Sequence, residues 1–536
     1  MGFIEKIKRF EGALKKKPLE KETLNFRISV PKELIVFPPI KDIKNFSFQY
    51  TLLEPFAHVH IKWSNTEKSL VYRVIEPTLS NKEKKVYDRI TESLSEIIDV
   101  ELSSIKGTGK AFEYIEGKVK KILDEIEISL DNTSYNKIMY YIYRDFIGLN
   151  EIEPLMHDPY IEDISCDGLN IPLYVIHKKL GSIETNIVFR DEEKLKNFII
   201  KLAERCGRYI SYAEPLLDGA LPDGSRVQAT LSSDVTTKGP TFSIRKFTSE
   251  PLSPIDLINL GTASPAIMAY LWFCVEMGTS IMICGGTATG KTTMLNAISL
   301  FIPQEWKIVS IEDTRELQLP HENWIPSVAR VGFGTPMGEG EKYGEVTMFD
   351  LLKASFRQNP DYVIVGEVRG VEASVMFQGM ASGHPSIGTM HAAGVSTVIK
   401  RLQTPPIELS PSLVETLDLV VTMVHARERG KSARRVKSIE EIEAVEPTGV
   451  ARTSTVFRWI PSTDTFEPGE GTYTLNKISH VKGIPLRDIK REINIRERII
   501  DYMIKNKITH WKEVSKLVSE YHKNSKEVLK ELKIKV

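Results

Sequence analysis

Residues 280–293 read Ser-Ile-Met-Ile-Cys-Gly-Gly-Thr-Ala-Thr-Gly-Lys-Thr-Thr, and Gly285 to Thr292 spell G-x-x-x-x-G-K-T. The apolar run Ile281-Met282-Ile283-Cys284 ahead of the glycines predicts a buried strand. Behind them Met294, Leu295, Ile298 and Phe301 recur on one helical face, and Pro303 closes the pattern. Strand, glycine loop and helix together gather backbone N–H groups and a helix N-terminus around a phosphate. The expected phosphate-binding set is Gly285, Gly286, Thr287, Ala288, Thr289, Gly290, Lys291, Thr292 and Thr293. In such a loop the lysine reaches the β- and γ-phosphates, and the hydroxyl after it holds Mg²⁺, which here makes Lys291 and Thr292 the candidates.

Two further apolar runs end in acids. Lys307-Ile308-Val309-Ser310-Ile311-Glu312-Asp313-Thr314-Arg315-Glu316-Leu317 reads as a strand with two carboxylates at its end. Arg357-Gln358-Asn359-Pro360-Asp361-Tyr362-Val363-Ile364-Val365-Gly366-Glu367-Val368-Arg369 reads as another, with Glu367 at its end. Ligands of α/β sheets gather at strand carboxyl ends, so acids there are placed to order water on Mg²⁺ or to polarise an attacking water. A solvated strand end is the plainer meaning of Glu312-Asp313 taken alone. Downstream, His384 and His391 flank a short apolar strand within Gly383–Ala393. Their spacing fits no metal-ligand pattern and suits phosphate sensing through hydrogen bonds.

The rest of the chain sets bounds. Its 536 residues predict two to four domains. A hydrophobic content of 41% with 26% charged residues is ordinary for soluble globular protein. The formal net charge of zero offers no global field for nucleic acid or acidic lipid. Cys166, Cys206, Cys274 and Cys284 form no C-x-x-C pair, which argues against a disulfide scaffold or a four-cysteine zinc site and for a reducing, cytosolic compartment. No apolar segment follows the Lys-rich start as a signal peptide requires. The most apolar stretch, Pro265 to Cys284, is interrupted by Glu276, Gly278 and Ser280, so it predicts a buried helix feeding the glycine-loop strand. Residues 2–17 draw as a short amphipathic helix, read either as a membrane-surface contact or as a frayed terminus with a solvated basic face.

Punctuation along the chain suggests an N-terminal accessory domain at 1–130 and a second N-terminal α+β domain at 131–247, with Gly148 stopping the first helix of the latter. A Pro/Ser/Thr linker follows at 248–256, then the nucleotide domain at 257–480 and a helical segment at 481–536. Trp511, Val514, Leu517, Val518 and Tyr521 repeat at helical spacing and predict core packing.

Glycine loop, acid-ended strands and histidine segment follow one another as a Walker A loop, an Asp box, an atypical Walker B of the form R-x-x-P-D-x-x-x-x-G-E-x-R and a His box of the form G-H-x-x-x-x-T-x-H. In that order and wording they resemble the secretion and type IV pilus assembly ATPase superfamily. The resemblance extends upstream through Glu153–Ser165, Leu221–Arg226 and Phe242–Phe247, whose wording is similar to the archaeal branch of pilus, archaellum and type II secretion-like ATPases. It covers residues 131–450 well and the first 130 poorly. Two departures stand out. The four-cysteine zinc module of many bacterial members is missing, and Gly370 replaces the usual Asp after G-E-x-R.

The resemblance implies an α/β chain: a RecA-like P-loop NTPase domain preceded by a smaller α+β domain and an N-terminal accessory domain. It implies ATP and Mg²⁺ as cofactors, with Thr292, Glu312 and Glu367 around the metal. Glu312 and Glu367 would share metal ordering and water activation, their division left open. Arg226 and Arg245 match family arginines that face the nucleotide across a domain or subunit boundary, and His391 would read the γ-phosphate. The implied assembly is a homo-hexamer pushing a polytopic membrane platform protein from the cytoplasmic face. Three other readings compete: a conjugation-type DNA-transfer ATPase, a nucleic-acid translocase and a non-catalytic nucleotide-binding scaffold. Neutral charge and the lack of a nucleic-acid module weigh against the translocase, and the retained Lys291, Glu312, Glu367, His384 and His391 weigh against the scaffold.

Overall fold

A computed structural model describes residues 26–31, 35, 37–40, 42–97, 108–247, 250–330, 332–337, 341–428, 431–446 and 448–534. Residues 2–17, the expected amphipathic segment, lie outside the described residues. The chain forms two compact units, Met1–Phe247 and Thr248–Val536.

The first unit is built on one sheet with strand order β1-β2-β3-β6-β5-β4-β9-β8-β7. These strands are β1 (Ser47–Leu53), β2 (Ala57–Ser64), β3 (Ser69–Ile75), β4 (Ile161–Cys166), β5 (Pro172–His177), β6 (Gly181–Val188), β7 (Leu216–Ala220), β8 (Arg226–Thr230) and β9 (Thr241–Arg245). Strands from before residue 131 and after it thus share a sheet, joined where β3 runs parallel to β6. The helices Asn81–Ile97, Thr108–Glu125 and Asn132–Ile142 bury Ile90, Ile115, Ile138 and Tyr140 in a common core. Gly148 does not stop the last of these by a left-handed cap. The helix runs on as a π-turn over Tyr143–Ile147, and Gly148 is extended with φ −80°. Glycine is needed there for space, because a Cβ would lie 2.6 Å from the Glu153 side chain.

The second unit carries the glycine loop. Its main sheet has the order β12-β11-β15-β16-β10-β17-β18-β19-β20. The strands are β10 (Ile281–Gly285), β11 (Ile308–Glu312), β12 (Trp324–Val328), β15 (Tyr362–Val365), β16 (Ser386–Met390), β17 (Leu419–Glu428), β18 (Lys431–Val445), β19 (Ala451–Ile460) and β20 (Thr465–Pro468). A separate hairpin joins β13 (Phe333–Met337) to β14 (Glu341–Tyr343). β10 lies between β16 and β17 and is parallel to both. β11 is parallel to β12 and β15, and β15 to β16, whereas β17 to β20 are antiparallel.

The unbroken apolar reading of β10 has a direct cause: the strand is buried on both faces. Ile281 and Ile283 enter the core that contains Trp272, Phe301 and the C-terminal helices. Met282 and Cys284 enter the opposite core with Met376, Phe377 and Val398. The apolar stretch before β10 folds as the helix Pro265–Glu276, in which every residue from Ile267 to Val275 is buried. At the C-terminal end, Trp511, Val514, Val518 and Tyr521 are buried as their spacing requires, and Trp272 lies between Phe301 (5.5 Å) and Tyr521 (5.6 Å). Among the described residues, no helix is long and apolar enough to cross a membrane. The α/β class expected from the sequence holds.

Candidate nucleotide site

The carboxyl ends of four neighbouring parallel strands meet at one edge of the second unit. β10 delivers the glycine loop, β11 ends at Glu312, β15 leads into Gly366-Glu367, and β16 leads into His391. Parallel order therefore brings together side chains that lie up to 100 residues apart, such as Lys291 and His391.

The loop follows from its glycines. At Gly285 a Cβ would lie 2.5 Å from Thr289 Oγ1 and 2.7 Å from the Met423 carbonyl, so only glycine lets the loop turn beside β17. Gly290, which precedes the helix Lys291–Ser299, has φ 89°, and Ala288 is left-handed at φ 59°. Both Thr289 Oγ1 and Lys291 Nζ donate to the Gly286 carbonyl at 2.9 Å. Lys291 is only 8% exposed, and that burial draws its ammonium below the usual lysine range.

Glu367 is the hub of the charged groups. Its Oε2 accepts from Arg369 Nη2 at 2.5 Å, and its Oε1 lies 3.3 Å from His391 Nε2. His391 Nδ1 lies 3.4 Å from Lys291 Nζ. Burial and the Lys291 charge lower the His391 pKa, against the opposing pull of the Glu367 carboxylate. The ring thus stands between the two groups, with Nδ1 toward the Lys291 ammonium and Nε2 toward the Glu367 carboxylate. Burial alone would raise Glu367, but the Arg369 hydrogen bond and the charges of Arg369, His391 and Lys291 outweigh it and hold the carboxylate below its usual range.

Glu312 has a different environment. It is 2% exposed. Its Oε1 accepts from the backbone N–H groups of Glu316 (2.8 Å) and Leu317 (3.0 Å), and its Oε2 is buried without a partner. Burial pushes its pKa to about 7. The next strand packs against it, since a Cβ on Gly366 would meet Glu312 Cγ at 3.1 Å.

These groups fit a hard cation. The Thr292 hydroxyl and the carboxylates offer oxygen only, and Glu312 Oε2 is an orphaned buried acceptor. No cluster of three or more His, Cys, Asp or Glu among the described residues could hold a metal unaided. A cation here must take its remaining ligands from phosphate and water, as Mg²⁺ does.

The two histidines of the His box separate. His384 precedes β16 and His391 follows it, so a five-residue strand of roughly 17 Å divides them. Only His391 reaches the site. His384 instead contacts the Pro360 carbonyl through Nδ1 (3.2 Å) and the Phe356 ring (5.3 Å), a packing role rather than phosphate sensing. Arg226 and Arg245 belong to the first unit, on neighbouring strands where they are register partners. Arg226 pairs with Asp218 at 3.1 Å and Arg245 with Asp163 at 3.0 Å.

Sequence reasoning gave no role to two residues. Arg369 sits inside the Walker B motif, and its Nη1 lies 3.4 Å from Asp313, one of the two carboxylates at the end of β11. Arg434 carries no motif signal, yet its Nε donates to the Ala288 carbonyl of the glycine loop at 3.0 Å. The departure at Gly370 has a compensation two residues on. Glu372 Oε1 accepts from the N–H groups of Arg369 (2.6 Å) and Gly370 (2.7 Å), holding the segment that aims Arg369.

A glycine loop at the centre of a parallel sheet, with acids and a histidine at the flanking strand ends, defines a P-loop nucleotide-binding protein. The chain belongs to the type II/IV secretion system protein family, whose model matches residues 154–457. It is 39% identical over 530 residues to the uncharacterized protein MJ0900 of Methanocaldococcus jannaschii, covering 94% of this chain and 93% of the relative. It is 34% identical over 265 residues to the type IV secretion system protein PtlH of Bordetella pertussis, covering 44% of this chain and 76% of that one. Among solved structures, that of the Yersinia pseudotuberculosis ATPase DotB aligns with a TM-score of 0.40 at 14% identity, over 71% of this chain and 91% of the other.

Proposed function

We propose that this protein is a Mg²⁺-dependent ATPase working as a ring homo-hexamer at the cytoplasmic face of an archaeal membrane. There it drives assembly of type IV pilus-like filaments, or type II secretion-like export, through a polytopic membrane platform protein. The observation that carries the catalytic part is the chain of contacts Lys291–His391–Glu367–Arg369 beside the glycine loop.

Lys291 exchanges the Gly286 carbonyl for a phosphate oxygen. Glu367, kept ionised by Arg369, orients the attacking water and accepts its proton. Glu312 fixes the 313–317 turn with one oxygen and offers the other toward the metal's waters. Thr292 would hold Mg²⁺, which when bound would supply charge neutralisation to the phosphates. His391 links the lysine that senses phosphate to the carboxylate that handles water. Arg226 and Arg245 act as arginine donors across a boundary, and residues 248–256 serve as the hinge between the domains proposed at 131–247 and 257–480.

A second reading is a transport ATPase of a type IV secretion or conjugation apparatus. The identity to PtlH supports it. Stimulation of turnover by DNA would favour it, whereas stimulation by acidic lipid would favour the filament or export motor.

The test is steady-state ATP hydrolysis with Mg²⁺, comparing the wild type with Lys291→Ala and Glu367→Gln, alongside sizing with a non-hydrolysable ATP analogue. Lys291→Ala should lose nucleotide binding. Glu367→Gln should retain binding and lose on the order of 10²–10⁴ in turnover. A wild-type monomer that neither binds nor hydrolyses ATP would overturn the proposal.

A further inference from the structure

The hairpin of β17 and β18 brings an arginine to the glycine loop. β17 is parallel to β10, with Met423 opposite Gly285, and β18 returns antiparallel with Arg434 opposite His425. The next residue, Arg435, is 2% exposed and grips Asp464 with two 2.8 Å hydrogen bonds. That buried anchor fixes the backbone from which Arg434 projects on the other face of the strand.

Arg434 Nε donates to the Ala288 carbonyl at 3.0 Å. Its Cδ lies 3.2 Å from where a Cβ on Gly290 would stand, so the side chain lies along the loop. Ala288 is a non-glycine residue at φ 59°, a left-handed conformation that the Cβ of an L-residue disfavours. In a planar trans peptide the C=O and the following N–H point in opposite directions. Holding the Ala288 carbonyl from outside therefore turns the Thr289 N–H the other way. Thr289 Oγ1 and Lys291 Nζ do the same at the Gly286 carbonyl, which turns the Thr287 N–H. The Gly286 brace comes from within the loop, whereas the Ala288 brace comes from β18.

We propose that Arg434 is a positioning residue for the phosphate loop: its hydrogen bond to Ala288 keeps that residue left-handed and the Thr289 N–H aimed at bound phosphate. The proposal rests on the nucleotide-binding reading of the loop. It acts through loop geometry, so affinity should change while the chemical step does not.

Titration calorimetry with ADP and with inorganic pyrophosphate, on the full chain, tests it. Arg434→Ala should weaken both about tenfold, the size of one charge-assisted hydrogen bond. In turnover it should raise KM for ATP and spare kcat. Arg434→Lys keeps the charge but has no Nε–H at this position, and should weaken binding as much. Ala288→Gly in the Arg434→Ala background should recover most of the affinity, because glycine adopts the left-handed form without a Cβ penalty. A wild type that binds neither probe overturns the nucleotide reading and this proposal with it. A wild type that binds, beside an Arg434→Ala variant that binds equally, overturns this proposal alone. Weakened binding that follows a lowered Tm and is not recovered by Ala288→Gly also overturns it, since that is the signature of general destabilisation.

Discussion

Nη2 of Arg369 stands 2.5 Å from Oε2 of Glu367. Two residues apart on an extended segment, they form one unit in which the arginine sets the charge state of the acid. Arg369→Gln removes the main influence that holds the Glu367 carboxylate below its usual range. Glu367 must be ionised to accept a proton, so the acid limb of the pH–rate profile should move upward. An unmoved limb would show that Arg369 does not tune Glu367.

Glu312 makes a prediction of opposite sign. Its pKa in the folded chain is about 7 against an ordinary 4.5, with burial as the main cause. Folding therefore favours the protonated acid. The favourable contribution is complete below about 4.5 and disappears as pH climbs through 7. Glu312→Gln is neutral throughout, so its stability relative to the wild type should rise between pH 5 and pH 8, by up to about 3 kcal/mol at 1.36 kcal/mol per unit. Denaturant unfolding at the two pH values reads this directly, and a pH-independent difference would refute the assignment.

The C-terminal helices are held to the nucleotide core by Arg496, which is 3% exposed. Its guanidinium bonds Glu276 at 2.8 Å and Glu492 at 2.8 Å, and lies 5.1–5.5 Å from the rings of Tyr521, Phe273 and Trp272. Removing Arg496 leaves the buried Glu276 with His522 alone as a charged partner, at 3.1 Å. Arg496→Ala should cost about 3–5 kcal/mol, and Arg496→Met combined with Glu276→Leu should recover much of it. Thermal unfolding followed by circular dichroism distinguishes the two outcomes.

Gly285 tests the loop's steric origin. Gly285→Ala drives a Cβ against Thr289 Oγ1 and the Met423 backbone, at 2.5 and 2.7 Å. Backbone on the β17 side cannot yield, so the loop must shift. Loss of ADP binding is expected, with a destabilisation of about 1–3 kcal/mol. Tight ADP binding by this variant would contradict the geometry.

The sequence by itself determined the local elements and the chemistry they carry. Two-sided apolarity of Ile281–Cys284, the glycines after it and the helical stripe from Met294 are short-range signals, and each corresponds to an element of the structure. Glu367 and His391 were legible because each ends an apolar strand. Tertiary structure decided what depends on how strands are ordered. It joined His391 to Lys291 and set His384, at the other end of the same strand, against the Pro360 carbonyl and the Phe356 ring. It gave two acids of similar sequence context opposite environments: Glu312 sealed beneath the neighbouring strand, Glu367 surrounded by cations. It also brought Arg434 to the glycine loop across 146 residues, where no spacing rule could have found it. Local pattern follows from backbone periodicity, which neighbouring residues set among themselves. Burial, charge and reach follow from which strands lie side by side, and only the folded sheet fixes that.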